Sequence, residues 1–226
     1  MSFFSRFSPS NPQNMERRYY KEQAEAIERV FGKSVEALRK LFPMAEPRLR
    51  DIGSSDSQDK FLDKLDVNAL VHTEEVSPEQ FPLMMSLLNK GREEVSLGQF
   101  ERSTGGQLKR SLLATEDRFS GKTVRLLTND IELLNSIVEA KFSPPPPWVV
   151  WLELGPASAV ARQGDAEYWY DFVWDKFWNK LSLAEQEQYV VQWREKTKPN
   201  ISEADWNDWV LMVRMRDPKY REVDDD

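Results

Sequence analysis

Apolar residues recur along most of the chain at spacings of three and four, the period of a helix with one buried face. Met15, Tyr19, Ala26, Ile27, Val30 and Phe31 follow that rule after Asn11 and Pro12, an N-cap residue and a proline at the first helical position, where its missing N–H costs nothing. Gly32 ends this helix, and Ser34 caps a short second one carrying Val35, Leu38, Leu41 and Phe42. The segment 43–58, rich in Pro, Gly, Ser and Asp, reads as a loop. Phe61, Leu62, Leu65, Leu70 and Val71 then give a short helical pattern, and Ser77, Pro78 and Gln80 supply a capping box for a helix bearing Phe81, Leu83, Met84, Leu87 and Leu88.

Between Gly91 and Gly106 the period weakens, and Val95, Leu97 and Phe100 allow one minor extended segment. Leu108, Leu112 and Leu113, then Val124, Leu127, Ile131, Leu134, Ile137 and Val138, predict two more helices, with Gly121, Lys122 and Thr123 as the turn between them. After Pro147 the run WVVWLEL is too short for its period to decide. Three helices follow: Asp165 to Leu181, one capped by Ser182 and Glu185 with Tyr189, Val190 and Trp193 inward, and one started by Ser202 and Asp205 with Trp206, Trp209, Val210 and Val213 on one face.

These elements predict a mainly α fold, an irregular multi-helix assembly of about seven to nine helices with minor or no strand content. The tract Pro144 to Pro147 favours an extended polyproline rod and divides the chain. The expected organisation is a tail over 1–11 containing Phe3, Phe4 and Phe7, a helical subdomain over 12–143, a proline linker over 144–147, a Trp-rich acidic helical subdomain over 148–216, and a frayed acidic tail over 217–226.

Composition sharpens that division. All eight tryptophans follow the prolines, and residues 148–226 hold 10 Lys and Arg against 16 Asp and Glu, so they carry −6 of the net charge of −7. An acidic chain is a poor match for a phosphate backbone, so nucleic acid is disfavoured as a partner. With no cysteine and one histidine, the usual thiolate and multi-histidine metal sites are excluded within one chain, and no cofactor is expected. No run of about 18 apolar residues predicts a membrane span, and the first fourteen residues lack the apolar core of a signal peptide, so a soluble, cytoplasmic protein is expected.

Candidate chemistry is sparse. Gly121, Lys122 and Thr123 resemble the end of a phosphate-binding loop, but Glu116 stands where that loop needs its first glycine. His72 is followed by Glu74 and Glu75 without a nucleophile-elbow serine and reads as a surface or helix-end residue. Lys109, Arg110, Arg118, Lys122 and Arg125 read as solvated helix faces.

The segment DAEYWYDFVWDKFWNKL is different. Advancing about 100° per residue puts Ala166, Tyr170, Val173, Trp174, Phe177 and Leu181 on one broad face. Glu167, Asp171 and Asp175 form an acidic strip beside it, with Tyr168 and Phe172 beyond. Like charges four residues apart repel unless solvated or paired, so the strip reads as a solvated edge beside aromatics that the two following Trp-bearing helices cover, or, since aromatics with an acidic rim suit one, as part of a protein interface. The expectation is therefore a non-enzymatic, cytoplasmic protein-binding module: an adaptor, a secretion chaperone, or an immunity or antitoxin-like protein. Glu167, Asp171, Asp175, Tyr168 and Phe172 would meet one protein partner with a basic surface. The alternative is a carboxylate-based hydrolase acting on a glycan or similar polar polymer.

Overall fold

The computed structural model describes residues 12–45, 48–52, 60–160 and 163–223. The tail expected over 1–11, residues 46–47 and 53–58 of the predicted loop, and the last three residues of the expected acidic tail lie outside the described residues. In chain order the elements begin with α1 (Pro12–Phe31), α2 (Val35–Leu41), α3 (Leu49–Ile52), β1 (Lys60–Phe61), β2 (Leu70–Val76), α4 (Phe81–Asn89) and β3 (Glu93–Ser96). They continue with β4 (Gln99–Thr104), β5 (Gln107–Arg118), β6 (Gly121–Thr128), α5 (Ile131–Glu139) and α6 (Pro147–Val150). A long broken helix follows as α7 (Gly164–Trp169), a π turn (Tyr170–Trp174) and α8 (Asp175–Trp178), then α9 (Leu183–Thr197), α10 (Glu203–Arg216) and α11 (Pro218–Val223).

The protein is mixed α and β, which overturns the expected mainly α assembly with minor or no strand content. A six-stranded antiparallel sheet runs in the order β1-β2-β6-β5-β4-β3. The segments that read as helices around Leu70, Leu108 and Val124 are strands. Spacings of three and four arise there by coincidence, and in β6, covered on both faces, the alternation of a strand is lost as well. In β6, Gly121, Thr123, Val124, Leu126, Leu127 and Thr128 are all buried. The helix predicted to run from Val124 to Val138 starts at Ile131, where the Asp130 carboxylate accepts from the Leu133 N–H and caps it.

Three tight hairpins build the sheet's far half. β4 and β5 pair from Gln99↔Leu112 to Thr104↔Gln107, closed by Gly105 and Gly106, both at positive φ as a two-residue hairpin turn requires. His72 is buried within β2 rather than at a helix end or surface.

Two compact units divide the chain. The first comprises Met1–Thr73, Met85–Thr115 and Val124–Ala140, the second Glu74–Met84, Glu116–Thr123 and Lys141–Asp226. In the first, Ile27, Leu38, Phe42, Leu62, Leu65, Val67, Ala69, Leu112 and Leu127 form the core. In the same unit, Asp130 accepts from Arg92 Nε and Nη2 (3.0 and 2.8 Å) and from the partly exposed Arg102 Nε and Nη2 (2.8 and 2.6 Å), with Asp130 and Arg92 buried.

The second unit is built on tryptophan. Trp148, Trp169, Trp174, Trp178, Trp193, Trp206 and Trp209 are buried together with Tyr170, Tyr189, Val173, Val190, Val210 and Val213. The tract Pro144 to Pro147, expected as a linker, is buried within this unit. Tyr189 donates its hydroxyl to the Pro144 carbonyl at 3.1 Å. Gly121 lies so close to Pro145 that a Cβ would stand 2.8 Å from Pro145 Cδ.

Candidate interaction surface

A π turn aligns the tryptophan rings of the broken helix. In a regular helix, residues five apart diverge by about 140°, so Trp169 and Trp174 would point apart. The π turn between them, bonded i to i+5, brings residue i+5 back nearly above residue i. Trp169 and Trp174 therefore stack at 5.7 Å and 16°, and Trp174 stacks on Trp178 at 5.1 Å and 21°. Trp148 meets Trp174 and Trp206 edge-on, at 6.2 and 4.9 Å. Burial follows the π turn rather than the regular projection. Trp169 and Trp178 are buried, while Phe177, expected inward, is only half-buried.

With these rings inward, Tyr168 and Phe172 are left outside, 44% and 55% exposed, their centroids 5.2 Å apart. Tyr168 stacks on Phe119 at 6.2 Å and 28°, and Phe119 meets Trp151 at 5.9 Å. The four rings make a row that begins against the buried core and ends in solvent. Arg118 lies over Phe119 (4.3 Å) and Tyr168 (4.8 Å) and reaches Asp165 at 3.5 Å, while Lys176 lies 5.5 Å from the Phe172 centroid. An open hollow of about 480 Å³ adjoins the row, flanked by Pro78, Arg118, Phe119 and Lys122.

Phe119 holds its place at a backbone cost. It and Ser120 form the two-residue turn between β5 and β6, with φ of 52° and 55°. The left-handed region suits Asn-Gly there, and a bulky side chain in it is uncommon. This turn replaces the one expected at Gly121 to Thr123, which instead opens β6, with Thr123 donating to Glu75 at 2.9 Å. Sequence reasoning missed Phe119 because Phe-Ser carries no turn signature; the glycine pair at Gly105 and Gly106 was the readable trace of the hairpins.

The acidic strip divides. Asp175 accepts from Arg216 Nε and Nη2 at 3.1 and 2.6 Å, and Asp171 accepts from Nη2 at 3.0 Å. The same guanidinium donates to the Ala159 carbonyl at 2.6 Å and covers the Tyr170 ring at 4.7 Å. Burial works against its charge, but the bonds to Asp175 and Asp171 outweigh it and raise the Arg216 pKa. Burial likewise pushes the Tyr170 hydroxyl well above its ordinary value. Asp171 and Asp175 thus fasten α10 to the broken helix, while Glu167, half-buried, precedes Tyr168 on α7.

The basic residues expected on helix faces lie on strands. Arg110 donates to Glu101 (2.8 Å) and to the Leu41 carbonyl (2.6 Å), and Lys122 pairs with Asp117. Among the described residues no group of three or more His, Cys, Asp or Glu gathers as a metal site, and no helix is long and apolar enough to cross a membrane. No protein family matches the chain, and no curated protein or solved structure is significantly similar to it.

Proposed function

We propose that the protein is a cytoplasmic, non-enzymatic binding module of the adaptor, secretion-chaperone or immunity type, and that it grips one protein partner through Phe119, Tyr168 and Phe172. The observation that carries this reading is the row of rings leading from the tryptophan core into solvent, held at its hairpin end by two consecutive left-handed residues. Strain of this kind costs on the order of 1–3 kcal/mol per residue and collects at sites of recognition. Rigid aromatics are the commonest anchors of protein interfaces.

Charge supports a basic partner. The second unit holds 13 Lys and Arg against 21 Asp and Glu, a net of −8, so the net negative charge of the chain resides there. Glu167, next to Tyr168 in the chain, would add to that field and steer a cationic surface toward the rings.

The test is quantitative capture from the native host by the wild-type chain and by Tyr168→Ala, Phe172→Ala and Glu167→Lys variants. Loss of a Phe172-sized anchor should weaken binding by about 2 kcal/mol, roughly 30-fold, with unchanged thermal unfolding. Glu167→Lys should act mainly on association rate and be masked by salt. A stoichiometric partner captured equally by all variants would place the interface elsewhere. Asp171 and Asp175 are unsuited to this test, because reversing either would unfasten Arg216.

A further inference from the structure

Helix α1 presents two physical anomalies. Its carboxyl-terminal half packs on the first unit through Ile27, with Tyr20, Ala24 and Phe31 alongside, but residues 14–19 are exposed all round, Met15 and Tyr19 at 54% and 58%. A helix owes most of its stability to packing, so two turns standing alone are poorly supported. The charges run the wrong way as well. Residues 12–21 carry Arg17, Arg18 and Lys21 against Glu16, a net of +2, and residues 22–31 carry Glu22, Glu25 and Glu28 against Arg29, a net of −2.

Positive charge at the amino end and negative charge at the carboxyl end both oppose the helix dipole. The internal pairs, Arg18 to Glu22 at 2.7 Å and Lys21 to Glu25 at 3.7 Å, have the cation first, the weaker of the two orders. Nothing within the helix explains this polarity. A second α1 laid antiparallel explains it fully, because each basic half then lies along the other's acidic half and the two dipoles oppose one another.

We propose that α1 is a self-association surface whose occupant is the α1 of a second copy of this chain, antiparallel about a centre between Lys21 and Glu22. Projection at about 100° per residue places Met15, Tyr19, Glu22 and Ala26 in one stripe, on the side away from Ala24, Ile27 and Phe31. Arg18 and Lys21 of each copy meet Glu25 and Glu22 of the other, and Met15 and Tyr19 close over the stripe that contains the small Ala26. The contact is isologous, as a two-fold dimer requires. A helix of about 30 Å pairs over less than the roughly 800 Å² per partner of a tight complex, so the dimer is concentration-dependent.

Sedimentation of the full chain from about 5 to about 500 µM tests this at low salt, where exposed charges are least screened. The mass should rise from 26.4 kDa toward twice that value and fall back at high salt. Arg18→Glu with Lys21→Glu, and separately Glu22→Lys with Glu25→Lys, should each be monomeric. An equimolar mixture of the two should dimerise more tightly than wild type, and the chain carrying all four substitutions should dimerise again. A wild-type chain that stays monomeric overturns the proposal. So does a dimer indifferent to these variants, or a mixture that fails to associate. The surface of Tyr168 and Phe172 is untouched in every arm, so partner capture and dimerisation fail separately.

Discussion

Two neighbouring residues at the β5–β6 turn should respond in opposite directions. Ser120 sits at φ 55°, which costs a non-glycine residue about 1–2 kcal/mol, while glycine there gives back part of that in unfolded-chain entropy. Ser120→Gly is therefore expected to stabilise the protein by about 0.5–1 kcal/mol in denaturant unfolding. Gly121→Ala forces a methyl to within 2.8 Å of Pro145 Cδ and 3.1 Å of the Val76 carbonyl oxygen, and overpacking of this kind costs about 1–3 kcal/mol. A stabilising Gly121→Ala would show that the proline tract yields. Asp130 makes a pH prediction. Burial alone would raise its pKa, but Arg102 and Arg92 outweigh burial and hold it below the usual carboxylate range. A depressed folded value means the carboxylate stabilises the fold fully above about pH 4 and loses that contribution as pH falls through the folded value. Asp130→Asn should cost about 3 kcal/mol or more near neutrality, since it strands the buried Arg92, and its deficit against wild type should shrink in acid. A deficit constant from pH 7 to about pH 2 would refute this assignment.

At the scale of elements, the π turn decides which rings are core. Trp169, Trp174 and Trp178 align only because one extra residue is accommodated between Tyr170 and Trp174. Deleting the exposed Phe172 should let the segment close into a regular helix and turn Trp169 out of the stack. The expected result is a lost near-ultraviolet dichroism band from coupled indoles and destabilisation of about 3 kcal/mol or more, as for emptying a large aromatic site. Retention of the band would mean that the stack, and not chain length, sets the turn. Helix starts were well marked in the sequence: Ser34, Ser182 and Ser202 each cap the helix they were expected to cap, and Ser182 with Glu185 forms the full reciprocal box. There the capping bonds lower the Glu185 pKa to about 2, the backbone N–H of Ser182 contributing most, with help from Lys141. Strands were not marked, since Leu108, Leu112 and Val124 match a helical spacing as well as a pleated one.

For the whole molecule, the sequence by itself determined what depends on local chemistry and composition: the caps, the tryptophan-rich carboxyl-terminal region and the concentration of net negative charge there. Projection at about 100° per residue also put Tyr168 and Phe172 beyond the apolar face, and both are exposed. Tertiary structure alone decided what depends on partners distant in the chain. β2, β5 and β6 become strands because neighbouring strands satisfy their backbone groups, a benefit invisible to a local window. Phe119 reaches Tyr168 across 49 positions of sequence, because the β5–β6 turn carries it there. Asp171 and Asp175 changed from a repelling strip into the seat of Arg216, 41 residues beyond Asp175, because one guanidinium can answer two carboxylates once folding has brought it near. A sequence states its charges and its periods; which of them meet is settled by the packing of elements far apart along the chain.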